Sequence, residues 1–183
     1  HGEIYRGSRG YAGEVGHTAI EPSDPRLNYG MRSSLTSLVG TEAILGRSKA
    51  LRSRFPESDL QAEPTLADFI AACAEGDPLC VAVMEEVGVY LGVAIANLLH
   101  ILNPPIVVLG GAVTAVGECL FHPLRQTVRD RTLWGAIKEC EIVRTKLSEN
   151  AIAVGASTLV LRAVLGDPAQ FLTRHVPAIG GGT

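Results

Sequence analysis

Between Asp77 and Gly111 the chain runs through a long apolar helix, a proline stop, a short strand and a glycine pair. No other stretch restricts the fold as much. Asp77 predicts an N-cap, since its carboxylate can accept from the free N–H groups of a first helical turn. Pro78 suits the first helical position, where its missing N–H costs nothing. Apolar residues then recur at helical spacing: Val83, Val87, Leu91, Ala94, Leu98 and Ile101. The last charges are Glu85 and Glu86, and from there to Leu102 the segment is apolar almost all round. A helix of that kind has to be buried on more than one face. Asn103-Pro104-Pro105 ends it, because a proline ring clashes with the preceding turn. Ile106-Val107-Val108-Leu109 is too short for another helix and nearly all β-branched, which predicts an interior parallel strand. Gly110-Gly111 falls at its carboxyl end, where open α/β sheets place their ligands. A plain tight turn is the other reading of the pair.

A chain of 183 residues, 46% hydrophobic and 19% charged, is long and apolar enough for one soluble domain with a real core. Its net charge of -3 gives no electrostatic case for nucleic acid or an anionic membrane. Val87 to Gly117 carries no charge, yet Asn97, His100, Asn103, the two prolines and the glycine pair cut it into pieces too short to span a bilayer. Cys73, Cys80, Cys119 and Cys140 lie in apolar or helical segments without paired metal spacing, which predicts buried thiols in a cytoplasmic protein. No apolar leader opens the chain. It starts within what reads as a strand, so a fragment of a longer protein is expected.

Residues 1–22 read as a strand at Ile4-Tyr5, a glycine-rich loop, and a second strand at Thr18-Ala19-Ile20. A helical pattern runs from Ser34 to about Arg54, with basic residues late, where they complement the helix dipole. Thr65-Leu66-Ala67-Asp68 matches a capping box and opens a short helix ending near Gly76. Further helices are expected at Glu118 to Arg131 and Ala151 to Leu165, and a strand at Glu141 to Thr145. Residues 1–166 form the folded unit in this reading, and 167–183 a tail. Gly88 and Gly92, four apart on the long helix, allow another element close, expected to be the Ala151–Leu165 helix or a second chain.

Glu14 and His17, three apart on the glycine-rich loop, are the sharpest polar pair. A carboxylate and an imidazole so placed can hydrogen-bond the hydroxyls of a sugar diol; both bonding only loop backbone is the alternative. His100 reads as a core histidine, His122 as a surface one, and His175 belongs to the tail.

Ala12-Gly13-Glu14-Val15-Gly16-His17 resembles the E-x-G-H signature of the ROK family (repressors, open reading frames and sugar kinases). Asn103 through Gly111 resembles the same family's NP-x-x-(I/V)VLGG segment, and Ala153-Val154-Gly155-Ala156-Ser157 its late GAA helix. The resemblance implies an α/β fold, one lobe of the actin-like (ribonuclease H-like) ATPase architecture, with a mixed sheet and packed helices. It implies sugar contacts at Glu14 and His17, and at the position of Thr36, where the family carries a glutamate. Gly110 and Gly111 become the nucleotide-side candidates. The family's D-x-G-G phosphate motif, its N-D pair with the general base, and its G-T-G-I-G loop would lie upstream of His1. The family also carries a C-x-C-G-x-x-G-C-x-E loop whose cysteines hold a structural zinc with the motif histidine. Leu27, Tyr29 and Ser34 stand at those cysteine positions, so the zinc is expected to be lost.

The expectation is therefore a C-terminal ROK lobe from a sugar-responsive regulator, with no catalysis and no cofactor of its own. DNA would be reached only through an upstream domain; no membrane is involved, and the lobe pairs as a homodimer. The rival is the C-terminal lobe of a sugar kinase of glucokinase or N-acetylhexosamine type, which would use ATP and magnesium. A third possibility is a lobe kept only for dimerisation.

Overall fold

The computed structural model describes residues 4–20, 33–133, 140–147 and 150–166. In chain order the helices are α1 (Leu35–Val39), α2 (Thr41–Leu51), α3 (Leu66–Ala74), α4 (Pro78–Leu102), α5 (Glu118–Arg131) and α6 (Ala151–Gly166). The strands are β1 (Ile106–Leu109) and β2 (Glu141–Arg144). Short 3-10 turns lie at Val15–His17, Arg52–Arg54 and Ala112–Val116.

α4 is the spine. Its 25 residues make it roughly 37 Å long at 1.5 Å per residue. The Asp77 carboxylate accepts from the Cys80 N–H at the start, with Pro78 in the first turn. Asn103 closes the end in the left-handed region at φ 44°, a conformation asparagine tolerates better than most residues. Among the described residues α4 alone is long and apolar enough to cross a membrane, but 56% of its most apolar window is buried inside the protein. It is a core helix. One cluster gathers Val83, Met84 and Val87 with Ile44, Phe69, Leu79 and Phe121. A second joins Ile95 and Leu99 to Leu124 and Val128 of α5.

The element that meets Gly88 and Gly92 is α5, where the sequence offers the Ala151–Leu165 helix or a second chain as cover for the spine. A Cβ at Gly88 would come within 2.9 Å of the Leu120 carbonyl, and one at Gly92 within 2.8 Å of the Leu124 carbonyl. The two backbones can only lie this close if both positions stay glycine. α6 forms where the sequence places it, yet none of its residues is buried.

β1 and β2 pair in parallel, with Ile106 opposite Glu141 and Leu109 opposite Arg144. Val107 and Leu109 face the α4–α5 layer with Ile142. The sequence predicts an interior strand; instead β1 lies at an edge of the described sheet, with Ile106 and Val108 exposed.

Other expectations also change. The helical pattern from Ser34 to Arg54 splits at Gly40, which is extended (φ -67°, ψ 162°) and serves as C-cap of α1 and N-cap of α2. A Cβ at Gly40 would meet the Thr36 carbonyl at 2.6 Å, so the turn there closes only around a glycine. Ile4 and Tyr5 are exposed and outside any strand, and Ala19 makes a single antiparallel bridge to Ser34. His100 is exposed, with its Nε2 accepting from the Leu133 N–H at 3.4 Å, rather than being a core histidine. The tail at 167–183 and His175 lie outside the described residues, as do Leu27 and Tyr29.

Candidate functional site

Glycines shape the loop that carries the first candidates. Gly10 and Gly13 adopt φ values of 83° and 90°, which side-chain-bearing residues rarely reach. The chain can thus turn sharply into the 3-10 segment Val15–His17. That turn puts His17 Nε2 3.7 Å from Glu14 Oε2, with side chains 58% and 62% exposed. The pair is open to solvent, with lone pairs and a ring nitrogen available to a polar ligand.

Thr36 belongs to the same cluster, but its hydroxyl is committed. Oγ1 donates to the Gly16 carbonyl at 3.0 Å. It clamps the turn onto α1, and a Cβ at Gly16 would sit 2.5 Å from that oxygen. Three backbone bonds continue the seam: Thr18 N–H to Val15 O, Leu35 N–H to Thr18 O and Ile20 N–H to Ser33 O. Ser34 caps α1 by accepting from the Ser37 N–H, and is itself buried. α1 in turn is fixed to the spine. Arg47 on α2 donates to Leu38 O at 3.2 Å and pairs with Glu86 of α4 at 2.7 Å.

Of the four positions aligned with the family's loop, the two described ones are hydroxyls turned to backbone partners, and neither offers a thiolate. Among the described residues no group of His, Cys, Asp or Glu is spaced to hold a metal.

Gly110 and Gly111 lie on another element, at the carboxyl end of β1. Gly111 has φ 103°, so glycine is needed there. Its carbonyl accepts from the Thr114 N–H and hydroxyl at 3.1 and 2.8 Å, which winds the chain into the 3-10 turn Ala112–Val116. Gly110 is less constrained, since a Cβ would touch only the Thr145 side chain, at 3.4 Å.

Sequence reasoning missed an acidic cleft of about 540 Å³ between α3 and the start of α4, lined by Glu57, Asp59, Asp68, Glu75 and Asp77. Burial pushes the Asp77 carboxyl up, but hydrogen bonds from the Cys80 N–H, the Ser58 hydroxyl and the Asp59 N–H outweigh it and hold the pKa below the usual aspartate value. Asp68 is lowered by the Thr65 hydroxyl and N–H of its capping box. The cleft joins residues up to 20 apart in sequence, a separation that leaves no local motif. Nearby thiols are not nucleophile candidates: burial, then the neighbouring Cys119, pushes Cys73 up to about 12, and burial with Asp77 does the same to Cys80.

A family model described as the ROK family matches residues 1–163. The chain belongs to the ROK family. It is 31% identical over 172 residues to a glucokinase of Thermotoga maritima, covering 91% of this chain and 54% of that one. It is 30% identical over 169 residues to the DNA-binding transcriptional dual regulator NagC of Escherichia coli, covering 90% and 40%. Among solved structures it resembles a ROK family transcriptional regulator, a homologue of the E. coli MLC protein, with a TM-score of 0.73 and 30% identity. That match covers 82% of this chain and 38% of the other. The fold is the α/β, actin-like ATPase fold of ROK kinases and repressors. The chain thus spans about half the length, or less, of the relatives it matches.

Proposed function

We propose that this ROK chain is the sugar-binding C-terminal part of a ligand-responsive transcriptional regulator, cytoplasmic and homodimeric, and that it is not catalytic on its own. Glu14 and His17 accept and donate to adjacent sugar hydroxyls, and Thr36 acts beneath them. The observation that carries the reading is the Thr36–Gly16 bond. The Thr36 hydroxyl ties the loop to α1 where the family carries a glutamate, and the Ser34 hydroxyl caps α1 where it carries a cysteine, so in this reading the loop is held without zinc. A regulator needs selective binding without turnover, and phosphoryl transfer would need a phosphate loop, a metal and a base supplied from elsewhere. A ligand that favours one of two states of the whole protein would then bias its contact with DNA, which an upstream domain makes. The second reading is the C-terminal lobe of an ATP- and magnesium-dependent sugar kinase, with Gly110-Gly111 on the nucleotide side; the identity to the Thermotoga glucokinase favours it.

Titration calorimetry of the complete encoded protein with glucose, xylose and N-acetylglucosamine tests both. A saturable heat with one of them, weakened tenfold or more by Glu14→Gln, together with no ATP-dependent phosphorylation in a coupled assay, supports the regulator. Turnover above the no-protein control supports the kinase. No binding to any sugar of a broader hexose panel overturns both.

A further inference from the structure

Three of the four free cysteines gather where α3, α4 and α5 come together. Cys73 lies near the end of α3 and Cys80 in the first turn of α4, 1% and 0% exposed. Cys119, in the first turn of α5, packs against the same core cluster but stays partly open to solvent. Its thiol donates to the Cys73 carbonyl, with Sγ 3.9 Å from the oxygen, although the two residues are 46 positions apart. The two thiols also act on each other directly, through a hydrogen bond and through charge, whereas Cys80 reaches Cys73 through charge alone.

The pair divides into a thiol that a solute can reach and one that it cannot. Reaction with an oxidant follows access and thiolate character. Cys119 has access. Cys73 has none, and burial with the Cys119 neighbour pushes it up to about 12, so it stays protonated and inert toward solutes. It needs no access to a sulfur that already lies beside it.

We propose that Cys73 and Cys119 are a redox-sensitive pair, joined by a reversible disulfide that ties α3 to the start of α5 when the protein meets a peroxide. The Cys119 sulfur attacks one peroxide oxygen. An S–O bond forms, the O–O bond breaks, and the departing oxygen takes up the thiol proton as water or an alcohol. The peroxide gains two electrons and Cys119 becomes a sulfenic acid. Cys73 then attacks that sulfur: the S–S bond forms, the S–O bond breaks, and hydroxide leaves with the Cys73 proton as water. A dithiol reductant returns both residues to thiols. The sulfurs of a disulfide lie about 2 Å apart, so a rotation of the Cys119 side chain and a small shift of the first turn of α5 close the gap. The bridge would also fix the 3-10 turn Ala112–Val116, which follows Gly110-Gly111 and packs on α3. In a reducing compartment the bond opens again once the oxidant is gone, which is the behaviour of a sensor and not of a structural disulfide. The assignment holds for a regulator or a kinase alike, so it stands or falls separately from the proposed function.

Peptide mapping by mass spectrometry on the complete encoded protein tests it, after full reduction, brief exposure to hydrogen peroxide and alkylation of the remaining thiols. The expected product is a peptide pair joined through Cys73 and Cys119 within one chain, lost on adding dithiothreitol. Cys119→Ser should lower oxidation at Cys73 by about tenfold or more, and Cys73→Ala should leave Cys119 as a sulfenic acid that dimedone captures. If either variant does not fold, the unmodified protein still decides. A Cys119 that stays a thiol overturns the proposal, and so does one that goes on to sulfinic acid while Cys73 remains free. A bridge from Cys73 to Cys80 also overturns it, as does a Cys73–Cys119 link that forms only between two chains or only in urea.

Discussion

Thr36 shows how one hydroxyl can take over a structural task. Its bond to the Gly16 carbonyl is the side-chain clamp between α1 and the turn bearing Glu14 and His17. Thr36→Val keeps the shape and removes the donor, and should lower unfolding stability by about 0.5–1 kcal/mol, with Thr36→Ser near the parent. Urea unfolding read by circular dichroism checks this; a valine variant as stable as the serine one would remove the clamp from the account. Asp77 gives a prediction in pH. Its folded pKa lies below the ordinary 3.8, so the carboxylate stabilises the fold above that value and the contribution is lost as the pH falls through the lower, folded pKa. Asp77→Asn should therefore flatten the acid side of the stability profile below about pH 4 while leaving the slope above pH 5 alone. Parallel acid slopes in the two proteins would count against it.

At the scale of elements, the α4–α5 contact rests on absent side chains. Gly92→Ala gains helix propensity of about 1 kcal/mol, but the new methyl would lie 2.8 Å from the Leu124 carbonyl and 2.6 Å from Thr127 Cβ. Backbone cannot rotate away as a side-chain tip can, so the helices must part, and the net change should be a loss of about 1–3 kcal/mol. Gly155→Ala in the same 183 residues should go the other way and raise helical signal. A Gly92→Ala protein at least as stable as the parent would show that α5 yields more easily than packed backbone should. These opposite signs explain what was legible in the sequence. The caps at Asp77 and Thr65, the proline stop and the strand at Ile106 could be read directly, since each depends on residues within a few positions. Periodicity also shows which residues want burial. It does not say what buries them, so the sequence offers the Ala151–Leu165 helix or a second chain as cover for the spine, while α5 is the element that meets Gly88 and Gly92. Ile4 and Tyr5 have the side chains of a strand but no neighbour to pair with among the described residues. The Glu14–His17 pair was legible from its glycine loop, while the role of Thr36 was not, because a threonine 20 residues away carries no local sign of its acceptor.

Over the whole molecule, burial is lopsided. The side built from α1 to α5 is closed, with Arg47 joining three helices, while the β1–β2 sheet and α6 remain open. The most extensive packing among the described elements, α4 on α5, links segments that are nearly adjacent in the chain, with only residues 103–117 between them. Contacts of such short loop closure form early, because little chain entropy is lost in making them. Refolding followed by pulsed hydrogen exchange should show α4 and α5 protected before the β1–β2 ladder; simultaneous protection would argue for a single cooperative step. The same arrangement has a meaning during synthesis. The spine, its strand and its covering helix leave the ribosome as one continuous run that ends at Arg131, so a nucleus can condense before β2 and α6 have been made. Of the apolar surface left open, the Ile106 and Val108 face of β1 is made within that run, whereas the apolar residues of α6 emerge only after the nucleus can form, which shortens the time a nascent chain displays both at once.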